Sequence, residues 1–186
     1  MAKDRIEKEA LHLFALNGYA GTSVRMIVEA AGVTKPTLYY HFGNKEGLYV
    51  NLLNTHLERW LELVRGIVAA ETSVADRVRA YLDIGLAGAL QAPTAVRFVQ
   101  RAYSQTEEEA PAPPIDFHAE EAKLLQQMVE QGIARGELRQ VSPRESTLGL
   151  MAMLHWRAVA SLHPDVPLTS EVAAHIADLW LKGVGA

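Results

Sequence analysis

Lys35, Thr37, Tyr39, Tyr40 and His41 put an ammonium, a hydroxyl, two phenols and an imidazole within a seven-residue stretch. Together they offer donors, positive charge and flat polar rings, the set that reaches base edges and phosphates in a nucleic-acid groove. They can do so only from the outward face of a short helix. Leu38 and Phe42, four apart, supply the opposite, anchoring face.

The flanking sequence sets that helix in place. Val24, Ile27, Val28 and Ala31 recur three and four apart, the spacing of one buried helix face over residues 24 to 31. Gly32 follows at the position where a helix end favours a left-handed backbone, so the chain turns sharply there. Thr34 is the expected N-cap of the next helix, and Pro36 fits only within its first turn, so it opens at Lys35 or Pro36 and ends near His41 or Phe42. Upstream, Ile6, Ala10, Leu13 and Phe14 stripe a first helix over residues 4 to 17, which Gly18 ends. Thr22 or Ser23 caps the second helix, whose exposed N–H groups suit a phosphate. Three helices thus form a small N-terminal unit.

From Asn44 a longer pattern begins. Leu48, Leu52, Leu53, Leu57, Trp60, Leu61, Val64 and Val68 predict one connecting helix of about 25 residues, capped by Asn44. Lys45 opens it at the end where the helix dipole disfavours a cation, and an anion such as a DNA phosphate would relieve the conflict. Further helices are expected from Thr72 or Ser73 to about Gln91, over 94–105, 116–135, 143–163 and from Thr169 to about Lys182. The acidic, proline-rich octet 107–114 reads as a loop. The helix over 143–163 is apolar all round, with Leu148, Met151, Leu154, Trp156 and Val159 spread about its axis, so both sides need cover. The fold class expected is all-α, about nine helices, with domains over 1–47 and 48–186.

Totals narrow the chemistry. The 186 residues are 49% hydrophobic and 22% charged, ordinary for a globular chain with a sizeable core. Without cysteine there are no disulfides, thiolate nucleophiles or cysteine-bound zinc, which suits a reducing compartment. No apolar run approaches the ~20 residues needed to cross a bilayer, and no secretion signal is read, so a cytoplasmic protein without membrane association is expected. The net charge of −4 divides unevenly: residues 1 to 47 hold six basic and five acidic side chains, and the acidity lies beyond them. Local charge governs attraction to phosphate, because screening acts within about 8 Å at physiological salt.

The stretch TSVRMIVEAAGVTKPTLYYHFGNKEGL resembles the helix-turn-helix of the tetracycline-repressor (TetR) family, in its TLYYHF recognition helix and its K-E-x-L start to the fourth helix. The resemblance is specific over roughly residues 4 to 53 and architectural beyond them. It implies DNA contacts at Arg25, Lys35, Pro36, Thr37, Tyr39, Tyr40, His41 and Lys45, phosphate-holding hydroxyls at Thr22 and Ser23, and pairing of the last two helices with a second subunit. Gly43 stands where the family commonly has a basic residue. Lys35, Thr37 and Pro36, at the front of the recognition helix, are expected at base edges, with Tyr39, Tyr40, His41 and Lys45 at phosphates.

Beyond residue 48 an apolar, drug-sized cavity is expected near Trp60, Tyr81, Phe98, Phe117, Met128, Met151 and His155, with Arg97 and Arg101 to grip an anionic ligand. The pairing surface is assigned to Trp156, Val159, Leu162, Ile176, Leu179 and Trp180. No metal or cofactor is expected: Asp116, His118 and Glu120 alternate and so share no helix face, H-E-x-x-H is absent, and phosphate loops, dinucleotide fingerprints and nucleophile elbows are missing. The sequence therefore points to a homodimeric, ligand-responsive repressor on a pseudo-palindromic DNA operator. A helical protein-interaction module or a helical enzyme without DNA affinity are the alternatives, separable by salt-titrated DNA binding.

Overall fold

The computed structural model describes residues 1–106, 109–111, 116–163, 165–169 and 171–185. Its helices are α1 (Ala2–Asn17), α2 (Val24–Ala31), α3 (Lys35–Phe42), α4 (Lys45–Ala69), α5 (Val74–Gln91), α6 (Pro93–Ser104), α7 (Phe117–Ala134), α8 (Pro143–Ala160) and α9 (Glu171–Val184). Among the described residues there is no strand beyond an isolated bridge, Leu138 to Gly185. Most ends fall within two or three residues of those read from the sequence. The 107–114 loop lies largely outside the described residues.

Two compact units form: Met1–Glu58 with Thr94–Ile115, and Arg59–Pro93 with Asp116–Ala186. Helix α4 gives its first half to one and its second half to the other. The boundary expected at residue 47 falls inside the first unit, because compactness carries that unit into α4 and adds α6.

In the first unit Ile6, Ala10 and Phe14 of α1, Ile27, Val28 and Ala31 of α2, Leu38 of α3 and Leu48, Tyr49 and Leu53 of α4 are all buried. Helix α6 joins them through an aromatic cluster. Phe14 meets Tyr49 edge-on at 5.0 Å and Phe98 at 6.2 Å, and Tyr49 meets Phe98 at 5.2 Å between ring centroids. Arg101 of α6 donates to the carbonyls of Ala15 at 3.3 Å and Leu16 at 2.8 Å. Its cation thus satisfies orphan acceptors at the negative end of the α1 dipole.

The second unit packs the end of α4 with α5, α7, α8 and α9 around Val64, Val78, Leu82, Leu125, Met128, Leu150 and Ala177. Gly85 lets α5 and α8 approach, since a Cβ there would lie 2.7 Å from Leu154 Cδ2. Arg77 is buried and donates through Nη1 to the Val68 carbonyl at 3.0 Å and Gln131 Oε1 at 2.9 Å. Trp180 is only 4% exposed and donates its indole N–H to the Ser146 carbonyl at 2.9 Å.

Candidate functional site

Helix α3 is capped by Thr34 at its start and by Gly43 at its end, where the Gly43 amide donates to the Tyr39 carbonyl at 2.8 Å. Thr34 Oγ1 accepts from the Thr37 amide at 3.4 Å and lies 2.9 Å from the Thr37 hydroxyl. Before it, Gly32 sits left-handed at φ 61°, and the Val33 amide reaches back to the Val28 carbonyl at 3.0 Å. An L-residue at Gly32 would meet the Cβ clash of that backbone region. Leu38 is 0% exposed and pins α3 to the unit, while Lys35, Pro36, Tyr39, Tyr40 and His41 stand exposed and Thr37 is half-buried. Tyr40 is 85% and Tyr39 45% exposed, so neither tyrosine packs inward. His41 meets the Tyr40 ring edge-on at 5.1 Å.

Around α3 the expected contacts divide. Ser23 caps α2 by accepting from the Met26 amide at 3.2 Å and remains exposed. Arg25 is exposed and bonded to Glu29 at 2.7 Å, a surface pair that a phosphate can replace. Thr22 departs from the expectation. It is 1% exposed, and its hydroxyl donates to the Gly18 carbonyl at 2.8 Å, so it closes the α1–α2 turn instead of facing a phosphate.

Lys45 also differs. Its ammonium donates to the carbonyls of Tyr19 at 3.0 Å and Thr22 at 3.1 Å, and lies 3.9 Å from the Tyr19 ring centroid. Two carbonyl dipoles and a π face offset its conflict with the α4 dipole, and one of its three donors is left over for another acceptor. Burial pushes its pKa below the usual lysine value.

A second constellation lies in the second unit. Glu121 of α7 is 0% exposed, and its Oε1 accepts from the Trp60 indole N–H at 2.7 Å and the Tyr81 hydroxyl at 2.9 Å. Its Oε2 lies 3.2 Å from His155 Nε2 of α8. His118, one turn before Glu121, faces His155 with ring centroids 5.3 Å apart. Burial, and then the Glu121 charge, hold the Tyr81 phenol well above its usual pKa. Partial desolvation and then the neighbouring His155 lower that of His118. Beside this group a cleft of ≈ 670 Å³ runs between α7 and α8, lined by His118, Lys123, Gln126, Arg144, Thr147 and Leu148 among others.

Residues 6–52 match the model of bacterial regulatory proteins of the tetR family, and residues 71–184 match the tetracycline-repressor-like C-terminal domain. The chain belongs to the tetR family of bacterial regulatory proteins. The transcriptional regulator LmrA of Bacillus subtilis is 34% identical over 82 residues, which are 44% of this chain and 44% of LmrA. QacR of Staphylococcus aureus is 42% identical over 60 residues, 32% of each chain. The chain thus spans less than half the length of these curated relatives. The solved structure of the TetR-family regulator PfmR from Thermus thermophilus superposes with a TM-score of 0.79 at 26% identity, over 96% of this chain and 98% of that one.

In this tetR-family chain the residues expected to line a pocket scatter. Trp60, Tyr81 and His155 do converge, on Glu121. Phe117, Met128 and Met151 are buried in the second unit, and none of them lines the α7–α8 cleft. Phe98 and Arg101 belong to the first unit, as core and as helix cap, and Arg97 is exposed there. Of the expected pairing surface, Ile176 and Trp180 are core. Trp156 and Leu179 are exposed, and Val159 and Leu162 are half-buried. Glu121 was missed, although its spacing of three from His118 placed both on one helix face.

Proposed function

We propose that the chain is a homodimeric DNA-binding transcriptional repressor that leaves its operator when an effector binds. The observation that carries this reading is α3: a helix fixed by Leu38 from beneath, carrying Lys35, Pro36, Tyr39, Tyr40 and His41 on its exposed face, with Ser23 and Arg25 alongside. In that frame Lys35, Pro36 and Thr37 meet base edges, and Tyr39, Tyr40, His41, Arg25 and Ser23 meet phosphates. Trp156 and Val159 of α8, Leu162 just beyond its end and Leu179 of α9 form the pairing face, so that two α3 helices read half-sites about one DNA turn apart.

For the effector, the α7–α8 cleft takes the place of the expected apolar cavity. Thr147 supports this, because its hydroxyl is buried on the cleft wall without a hydrogen-bond partner. A small polar molecule that supplies one would bind the conformation presenting Thr147, and only such differential affinity shifts a regulator. No described helix is long and apolar enough to cross a membrane, in keeping with work at cytoplasmic DNA.

The test is fluorescence anisotropy of the full chain with pseudo-palindromic and scrambled duplexes across a salt series. Selective binding whose log affinity falls by about 0.9 per neutralised phosphate for each tenfold rise in salt is expected. Equal, salt-insensitive affinity for both duplexes would overturn the reading.

A further inference from the structure

We propose that His118, Glu121 and His155 form a binding site for a divalent first-row transition ion of the zinc class, joining α7 to α8. The three residues each offer one ligand atom, and these atoms all lie within 4.8 Å of one another. Donors bound to one ion at about 2.1 Å stand at most about 4.2 Å apart, so rotation of the part-exposed imidazoles closes the set. Glu121 Oε2 and His155 Nε2, at 3.2 Å, are already within that limit.

Glu121 is prepared as a ligand. Trp60 and Tyr81 both donate to Oε1, which fixes the carboxylate plane in the way that outer hydrogen bonds orient metal-binding groups. Oε2 is buried and has no hydrogen-bond partner, although His155 Nε2 is near enough to be one. The two atoms therefore do not aim at each other. Oε2 thus keeps acceptor capacity for an ion placed within reach of both atoms.

The donor set selects the metal class. Two imidazoles with one carboxylate suit zinc, nickel, cobalt or iron, whereas magnesium and calcium prefer all-oxygen shells. The chain has no cysteine to offer a softer site. Three protein ligands leave at least one coordination position for water or another small donor. His118 also lines the α7–α8 cleft, so such a donor can come from a molecule held there.

The experiment titrates the untagged, chelator-treated full chain with cobalt(II), reading visible d–d absorption, and then with zinc(II) as competitor. One equivalent of cobalt per chain, displaced by zinc, is expected. His118→Ala and His155→Ala should each weaken binding by about tenfold or more, and Glu121→Gln likewise, while His163→Ala and His175→Ala leave it unchanged. Circular dichroism confirms that each variant is folded, and the two part-exposed histidines carry the test should Glu121→Gln not fold. Absence of a saturable one-equivalent band, or site variants that bind as wild type, overturns the proposal. Anisotropy with metal-free protein reads the α3 interface separately, so failure here and failure of the DNA reading are distinguishable.

Discussion

The Lys45 ammonium is held by Tyr19 twice, by its carbonyl at 3.0 Å and by its ring at 3.9 Å. The residue that opens α4 is thereby a clamp on the α1–α2 turn, with the Thr22 carbonyl as its third partner. Lys45→Met keeps the aliphatic stem and removes the donors. A loss of about 1–3 kcal/mol in unfolding free energy is expected, because two carbonyls lose a charged donor. Chemical denaturation measures it, and unchanged stability would return Lys45 to a role at phosphate alone.

Lys35 and Tyr40 separate base reading from phosphate holding. Lys35→Ala should relax preference at one base-pair position by about 1–3 kcal/mol. Tyr40→Phe, which removes only a hydroxyl from a side chain 85% exposed, should weaken binding to all sequences alike. Competition binding against single-base operator variants distinguishes the two outcomes.

Trp156 is 75% exposed on α8, beside the half-buried Val159. A large indole left in water on a helix apolar all round marks a surface awaiting a partner. Trp156→Glu should weaken dimerisation by at least about 2 kcal/mol, or about 30-fold. Sedimentation of both proteins across micromolar concentrations checks this, and identical profiles would move the pairing face elsewhere.

Tyr49 supplies a pH prediction. Burial, reinforced by Tyr19 and opposed by Arg101, pushes its phenol from 10.0 up to about 12. Folded Tyr49 therefore keeps a proton that the unfolded chain releases above pH ~10, so its contribution falls as pH rises from there to about 12 and then levels off. Tyr49→Phe should flatten this part of the alkaline decline in stability, followed by thermal unfolding between pH 9 and about 12.

Local rules made the reading helices legible: Gly32, Thr34 and Pro36 each have one comfortable place, and together they bounded α3 to within one residue at each end. The choice between Thr22 and Ser23 as cap needed the turn geometry, because either hydroxyl suited the sequence. Ile176 and Trp180 were assigned outward since a stripe shows that a face is buried, not against what; the Trp180 bond to Ser146 settles it as core. Arg101 looked like an anion grip because its partners are backbone carbonyls, which no side-chain pattern records. The ring of donors on Glu121 joins four helices through residues as far apart as Trp60 and His155, and only the His118 spacing was visible beforehand.

Arg101 and Phe98 also bear on how the first unit can be handled. They come from a helix beginning more than thirty residues after Glu58, yet they close the end of α1 and complete the aromatic core around Tyr49. A fragment cut after the first half of α4 would keep every residue of the reading surface and lose the pieces that seal it. The first unit is thus completed only once α6 has been synthesised, and part of its packing comes from sequence outside the stretch by which the family is recognised.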